Sequence, residues 1–451
     1  LYLILLLTTL FFSSCEKFVD VGYPRTQLLD SLVFKDFKTA ETALLQVYID
    51  VRYNSEVSAG CGLNYQLYVD DLTNYSVDPE SKTFKFFNTS LTDKDENLLT
   101  RHWDARYSAI YKANKLLVGL DQSAAITVAN RNQLKGEALV LRSLMHWRLA
   151  NSFGDVPFIT DVDYRVTVNA PKLPKSKVFE LVQKDVELAA SLLPDNYPTA
   201  DRVRINKKVA QAFLAQIYLY SKKWKEAEDL ATELINATGT YALETDLTKT
   251  FLRQSKETIW HFAESNPGSP TSEALHYAIS VSPFTNTAYV AMSDDLLNSF
   301  EPDDKRRNAW IGINTVGQSS WNYMSKYKVL NTIASGSPEL SVVMRLSEMY
   351  LIRAEARIER ENFSGAQQDI DAIRGKAGLP GTTATDKPSL REAVMQERRH
   401  ELFCEGAHRY YDLKRTGTIT QVLGLKKPNW TEAAINLPIS EKQKILNPNL
   451  Q

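Results

Sequence analysis

Two stretches of this chain, more than a hundred residues apart, overlay in one register. From Asn206 the sequence reads NKKVAQAFLAQIYLYSKKWKEAEDLATELI, and from Ser341 it reads SVVMRLSEMYLIRAEARIERENFSGAQQDIDAIR. Ala215, Trp224 and Ala227 fall on Ala354, Phe363 and Ala366 with identical spacing in the two copies. A small residue lets two helices cross closely, an aromatic near the turn fills the gap between them, and a second alanine opens the returning helix. That is the pattern of a tetratricopeptide-type helix pair. Such pairs bury one face on a neighbouring pair and leave the other free, so the repeat points to binding before catalysis.

The rest of the chain extends the array. Apolar residues recur at helical spacing over Lys35–Tyr53, Trp103–Leu120, Asn130–Ser152 and Lys175–Leu193, and a final helix is expected over Ser389–Glu405. Gly119, Gly154 with Pro157, and Pro194 read as stops. The expected fold is all-α, about eight helices in four tetratricopeptide-like pairs (an α/α superhelix), carrying a long irregular insertion subdomain. The irregular segments are 54–100 and 239–338. Loops of that length in a compact protein are usually functional, and these are too aromatic to be disordered linkers.

Hydrophobic residues are 43% and charged residues 24% of the chain, ordinary for a globular protein. With 53 basic and 54 acidic residues no overall field draws the chain to nucleic acid or anionic lipid. The start is the exception. Leu1–Phe12 is almost wholly apolar and runs through Ser13 and Ser14 into Cys15, with charge following at once. A dozen residues are too few to span a bilayer, but they match the apolar region of a secretory signal, and two small residues before a cysteine mark lipoprotein processing. The expectation is a signal remnant at 1–14, acylation of Cys15, a tether at 15–33 and one domain over 34–451. Cys61 and Cys404 are too few for a disulfide framework, and spacing alone leaves their pairing open.

Several constellations invite chemistry. In HELFCEGAH the second ligand of an H-E-x-x-H zinc helix is replaced by Cys404, and a His400–Cys404–His408 face is expected to be broken by Gly406. No metal site is expected there. Asp70 and Asp71 can bind sugar hydroxyls or a structural cation, though a solvated loop is the leading single reading. As an acid and nucleophile pair they fail, because adjacent residues on a strand face opposite ways. Arg398, Arg399, Arg409 and Arg415 can clamp an anion, but Glu397, Glu401, Glu405 and Asp412 lie within pairing distance along the chain, so intramolecular pairing is expected. No Walker loop, dinucleotide fingerprint or nucleophile elbow is present. Aromatics crowd the insertions instead: Tyr75, Phe86 and Phe87, then Tyr277, Phe284, Tyr289, Trp310, Trp321, Tyr323 and Tyr327. The apolar face of a sugar ring stacks on such side chains. For each residue taken alone, a place in the core is the commoner fate.

Taken together, CEKFVDV, WDARYSAIYKANKLL, KGEALVLRSLMHWRLANSFGDVPF, YLYSKKWKEAEDLA, RLSEMYLIRAEA and ERRHELFCEGAHRYYDLKR resemble the SusD/RagB family over nearly the whole mature chain. The resemblance implies a surface lipoprotein of the Gram-negative outer membrane, lipid-anchored at Cys15. Such a protein binds oligosaccharide, or in some relatives peptide, and closes as a lid over a TonB-dependent transporter. It implies no catalysis and no cofactor. It maps the family's acidic turn to Asp70 and Asp71, and its aromatic patch loosely to Phe87 and Asn88 and to Trp321 and Tyr323. Phe12, three residues before the cysteine, departs from the usual Leu. The alternatives are a helical scaffold that binds only protein and, more remotely, a glycoside hydrolase.

Overall fold

A computed structural model describes residues 33–54, 59–284 and 289–451, the side chains of residues 59 and 60 excepted. The signal remnant, Cys15 and the tether lie outside the described residues.

The repeat register is realised. Helices α1 (Phe37–Asn54), α2 (Ala59–Tyr68), α3 (Asp104–Gln122), α4 (Val128–Phe153), α5 (Lys175–Leu192), α6 (Lys207–Tyr220), α7 (Trp224–Asn236), α8 (Leu346–Glu359), α9 (Phe363–Lys376), α10 (Lys387–Leu402) and α11 (His408–Arg415) carry the bulk of the core. They pack as α1 on α3, α4 on α5, α6 on α7 and α8 on α9, with α3 on α4, α5 on α6 and α7 on α8 joining the pairs. Ala215, Ala227, Ala354 and Ala366 are all fully buried. A larger side chain at these positions would hold the crossing helices apart.

The two copies also turn alike. Lys222 and Glu361 adopt φ of +57° and +64°. In the first copy the Lys223 N–H reaches back to Tyr218 O and the Lys222 N–H to Leu219 O; in the second, Asn362 reaches Arg357 O and Glu361 reaches Ile358 O. This is the same Schellman closure twice, with a long polar residue where glycine is usual.

The sequence places several boundaries differently. Gly119 does not end α3; it lies inside the helix, where Phe34 packs so closely that a Cβ would meet its ring at 1.9 Å. The second copy does not begin as helix, because Val342–Arg345 is a strand and α8 starts only at Leu346. The last predicted helix stops at Leu402 rather than Glu405, with Phe403 in extended backbone and Cys404 and Gly406 at positive φ.

The insertions are more ordered than their lack of periodicity implies. The first holds α2, β1 (Leu72–Asn74) and two short helices. The second holds β2 (Thr258–His261), β3 (Val290–Met292), β4 (Ile311–Val316) and β5 (Ser319–Met324), and β6 (Val342–Arg345) follows it. Three antiparallel pairs result: β1 with β3, which zips the two insertions together; β2 with β6, which pins the second insertion to the start of α8; and the β4–β5 hairpin. The hairpin turns at Gly317–Gln318, with Gly317 at φ +64°, a conformation the twist of a tight hairpin favours and glycine adopts without strain.

A buried ionic knot anchors the insertion to the helices. The Arg345 guanidinium donates to Glu257, Glu401 and Glu405 at 2.7, 2.6 and 2.8 Å. Lys376 donates to Glu257 and Glu401, each at 2.8 Å. Arg306 reaches Asp304, Glu397 and Glu401. The Lys326 ammonium donates to Glu405 at 2.6 Å and to the Glu401 and Phe403 carbonyls, while sitting over the rings of Phe403 and Trp310. Charges this deep are tolerated only when each is paired and hydrogen-bonded, as here. The charged strip 396–415 thus finds its counter-charges within the protein, as expected, but mostly from remote partners. Within the strip Asp412 alone takes Arg398 and Arg415.

Candidate functional site

The β1–β3 ladder brings the two insertions side by side, and an aromatic ridge forms where they meet. Tyr75 follows β1 and donates its backbone N–H to Tyr289 O at 2.7 Å. Phe284, 61% exposed, stands between two rings: edge-on to Tyr75 at 5.1 Å and 83°, and edge-on to Trp321 at 6.4 Å and 77°. Burial pushes the Tyr75 phenol up, the Asp294 charge adds to this, and contact with the Trp321 side chain opposes it. Trp321, Tyr323, Gly312 and Asn314 share one face of the hairpin because directly paired residues project together. Tyr323 lies across Gly312, where a Cβ would meet the ring at 2.3 Å, so the glycine makes room for the tyrosine. Both Trp321 and Tyr323 are half-buried. The ridge therefore offers fixed rings at a surface, suited to stacking on the apolar face of a ligand.

The other predicted residues lie nearby but are engaged differently. Asp70 and Asp71 form the turn between α2 and β1 and are both buried. Burial pushes the Asp70 carboxyl up, but hydrogen bonds and charge from Arg409, with Arg399 and Lys426, override it and hold the group well below the usual carboxylate range. Arg409 meets both its oxygens at 3.0 Å, and Lys426 bridges it to Asp295 at 2.8 Å on each side. Asp71 is pushed up, by burial first, with the charge of Arg399 opposing and that of Asp70 reinforcing. The Asp70 carbonyl and the Asp71 carbonyl accept from the Ser293 hydroxyl and N–H. The solvated-loop reading of this turn is replaced by an internal clasp that locks β1 onto β3.

Phe87 ends the short helix Lys82–Phe87, and Asn88 caps it, its side chain donating to Phe84 O at 3.1 Å. The Lys427 ammonium sits 4.1 Å from the centre of the Phe87 ring and donates to Leu67 O. Burial pulls the pKa of this lysine down to about 7, against the opposing pull of Asp70 and Asp71.

Four of the candidate aromatics are anchors. Phe86, Tyr277, Trp310 and Tyr327 are buried, and the Trp310 indole donates to Leu247 O at 3.0 Å. His400 stacks on Phe300 at 4.5 Å and bonds Ser299 Oγ, and with α10 ending at Leu402 the three-residue zinc face does not form. Among the described residues no group of three His, Cys, Asp or Glu side chains is disposed to hold a metal. Cys61 and Cys404 are both free and buried. Sequence reasoning ranked Tyr75 and Phe284 among many aromatics without joining them to Trp321. The signal was faint: one phenylalanine between turn residues, two hundred positions from its tyrosine neighbour.

Against known proteins, residues 27–219 match a family model described as starch-binding and associating with the outer membrane, and residues 309–447 match the SusD family model. The chain belongs to the SusD/RagB family. A SusD-like protein of Formosa agariphila is 25% identical over 97% of this chain and 95% of its own length. Among solved SusD-family structures, a laminarin-binding SusD-like protein is 23% identical, covers 91% of this chain and 97% of its own, and superposes with a TM-score of 0.76. Surface glycan-binding protein A from Bacteroides thetaiotaomicron is 19% identical, covers 93% and 99%, and also gives 0.76. At such identities the likeness establishes a shared SusD fold. No helix among the described residues is long and apolar enough to cross a membrane.

Proposed function

We propose that this protein captures an oligosaccharide at the outer membrane surface, held there by a lipid on Cys15, and passes it to a TonB-dependent transporter without cleaving it. The observation that carries the reading is the Tyr75–Phe284–Trp321 ridge at the seam of the two insertions, with Phe284 exposed and its two neighbours half-buried. Supporting it are the family's association with starch and the outer membrane, and the laminarin- and glycan-binding relatives of the same fold. In this reading Trp321 and Tyr323 face the sugar, Phe87 and Asn88 border the site, and Asp70 and Asp71 act through the turn they hold. Asp70 is tied up in ion pairs with Arg409 and Lys426 and Asp71 is buried, so these two carboxylates are not poised as an acid and base pair for hydrolysis.

Each stacked ring contributes about 0.5–1.5 kcal/mol, so three rings at the upper end give roughly millimolar affinity and hydrogen bonds must supply the rest. Isothermal titration against starch, laminarin and other plant and host glycans tests the reading: saturable binding without release of reducing ends is expected. A flat response to the whole panel alongside tight capture of a protein partner would favour a purely protein-binding scaffold instead. Transporter delivery is tested separately, by co-purification from outer membranes of cells expressing the natural chain or its Cys15→Ala variant.

A further inference from the structure

A second concave surface, built from residues that take no part in the ridge, has the chemistry of a sugar subsite. Trp103, at the N-terminal end of α3, and Tyr107 and Tyr111 within it recur every four residues and so share one face of the helix. They line a cavity of about 340 Å³, closed on its other side by Thr167, Val168, Gln443, Leu446, Asn447 and Leu450. That volume lies in the range of small-ligand pockets. Its wall is rigid. Trp103 is held edge-on by Phe153 at 4.9 Å and packs on Tyr107 at 5.1 Å, and the Tyr107 hydroxyl donates to Pro157 O at 2.8 Å. Tyr111 is 46% exposed and free to stack.

Asp104 decides what such a cleft would hold. Its Oδ1 accepts from the Gln443 amide, and the charge of Lys442 bears on it from the rim of the cleft. Burial pushes this carboxyl up, a sign that its surroundings solvate it poorly. An apolar protein side chain would deepen that penalty, whereas a hydroxyl donated by a sugar would relieve it while the pyranose ring stacks on Tyr111. We infer that the Trp103–Tyr107–Tyr111 cleft is a second carbohydrate subsite, taking a pyranose ring with a hydroxyl bound to Asp104. The inference rests on the glycan-binding reading, and it makes the protein bivalent toward a polysaccharide.

Affinity electrophoresis in gels containing soluble starch, laminarin, xylan, mannan or pectin tests it, with melting temperature as a control for folding. Tyr111→Ala and Asp104→Asn should each weaken retardation by about five- to tenfold through lost avidity, and Trp321→Ala should leave a residual retardation that Trp321→Ala/Tyr111→Ala removes. If Trp321→Ala alone abolishes retardation and the two cleft variants match the wild type, the second subsite is overturned and the primary reading stands. If the wild type is retarded by none of the polysaccharides, both readings fall. If the cleft variants lose only co-purification of a protein, the cleft is a protein-docking surface and the inference is wrong.

Discussion

In the helical back the crossings of α6 with α7 and of α8 with α9 are closed by alanines, Ala215 with Ala227 and Ala354 with Ala366. The second insertion, by contrast, is tied down by buried charge around Arg345, Arg306 and Lys326. The difference follows from length scale. A helix pair meets its partner within about thirty residues and needs only a periodic apolar face, so small side chains at the right spacing suffice. An irregular segment has no periodic face to bury and is held by specific pairs from distant parts of the chain. The insertion itself contains the same contrast in miniature. Trp310, 1% exposed and hydrogen-bonded to Leu247 O, anchors it, while Trp321, on the hairpin that follows, is only half-buried and meets the exposed Phe284 edge-on.

The sharpest way to break this contrast is to remove the centre of the knot. Arg345→Ala leaves Glu257, Glu401 and Glu405 in the core with only Lys376, Arg306 and Lys326 to balance them, and is expected to cost about 3–5 kcal/mol in urea unfolding. Trp310→Ala should cost a similar amount, about 3–5 kcal/mol, through cavity formation. If instead it spares stability and weakens glycan binding, the division between anchor and platform is reversed.

Glu273 probes the same buried region by pH. It accepts from Ser341 Oγ at 2.7 Å, and burial pushes its carboxyl up to about 7, above the value of about 4.3 expected in the unfolded chain. The folded state therefore holds the proton more tightly. The stability this supplies is fully present below about pH 4 and is lost as pH rises through about 7. Glu273→Gln should flatten that slope by roughly 2–3 kcal/mol between unfolding curves at about pH 5 and about pH 8.

In the back, Ala354→Leu should overpack the α8–α9 crossing and cost about 1–3 kcal/mol, leaving the affinity of the folded fraction unchanged. A neutral thermal melt would undo the repeat register. The smallest effect is expected at the ridge, where Trp321→Ala should weaken glycan binding about tenfold, or about 1.4 kcal/mol, with little change in melting temperature. A large drop in melting temperature with unaltered binding would make Trp321 an anchor like Trp310.

The sequence makes the back legible because its information is local. The spacing of Ala215, Trp224 and Ala227, repeated at Ala354, Phe363 and Ala366, already carries the register, the turn and the crossing. It also directs attention to the insertions, where the proposed ridge lies, and offers Trp321 as a candidate. What it hides is whatever depends on partners far along the chain. Asp70 resembles a solvent-facing turn residue until Arg409, more than three hundred positions away, is brought against it. Val342–Arg345 extends a helical register by apolarity alone, and only its pairing with β2 reveals a strand. Phe284 has no local pattern, and its meaning comes from Tyr75 and Trp321 on either side.

The ladder between Leu72–Asn74 and Val290–Met292 closes a loop of more than two hundred residues. Its formation costs chain entropy that no local contact repays, so the ridge should be among the last features to appear as the protein refolds, after the helix pairs on its back. During synthesis the order is stricter still. A nascent chain that has not yet emerged past β3 can hold only the α1–α7 part of the back and no face, and competence to bind arrives only when the distant half of the molecule reaches over to complete it.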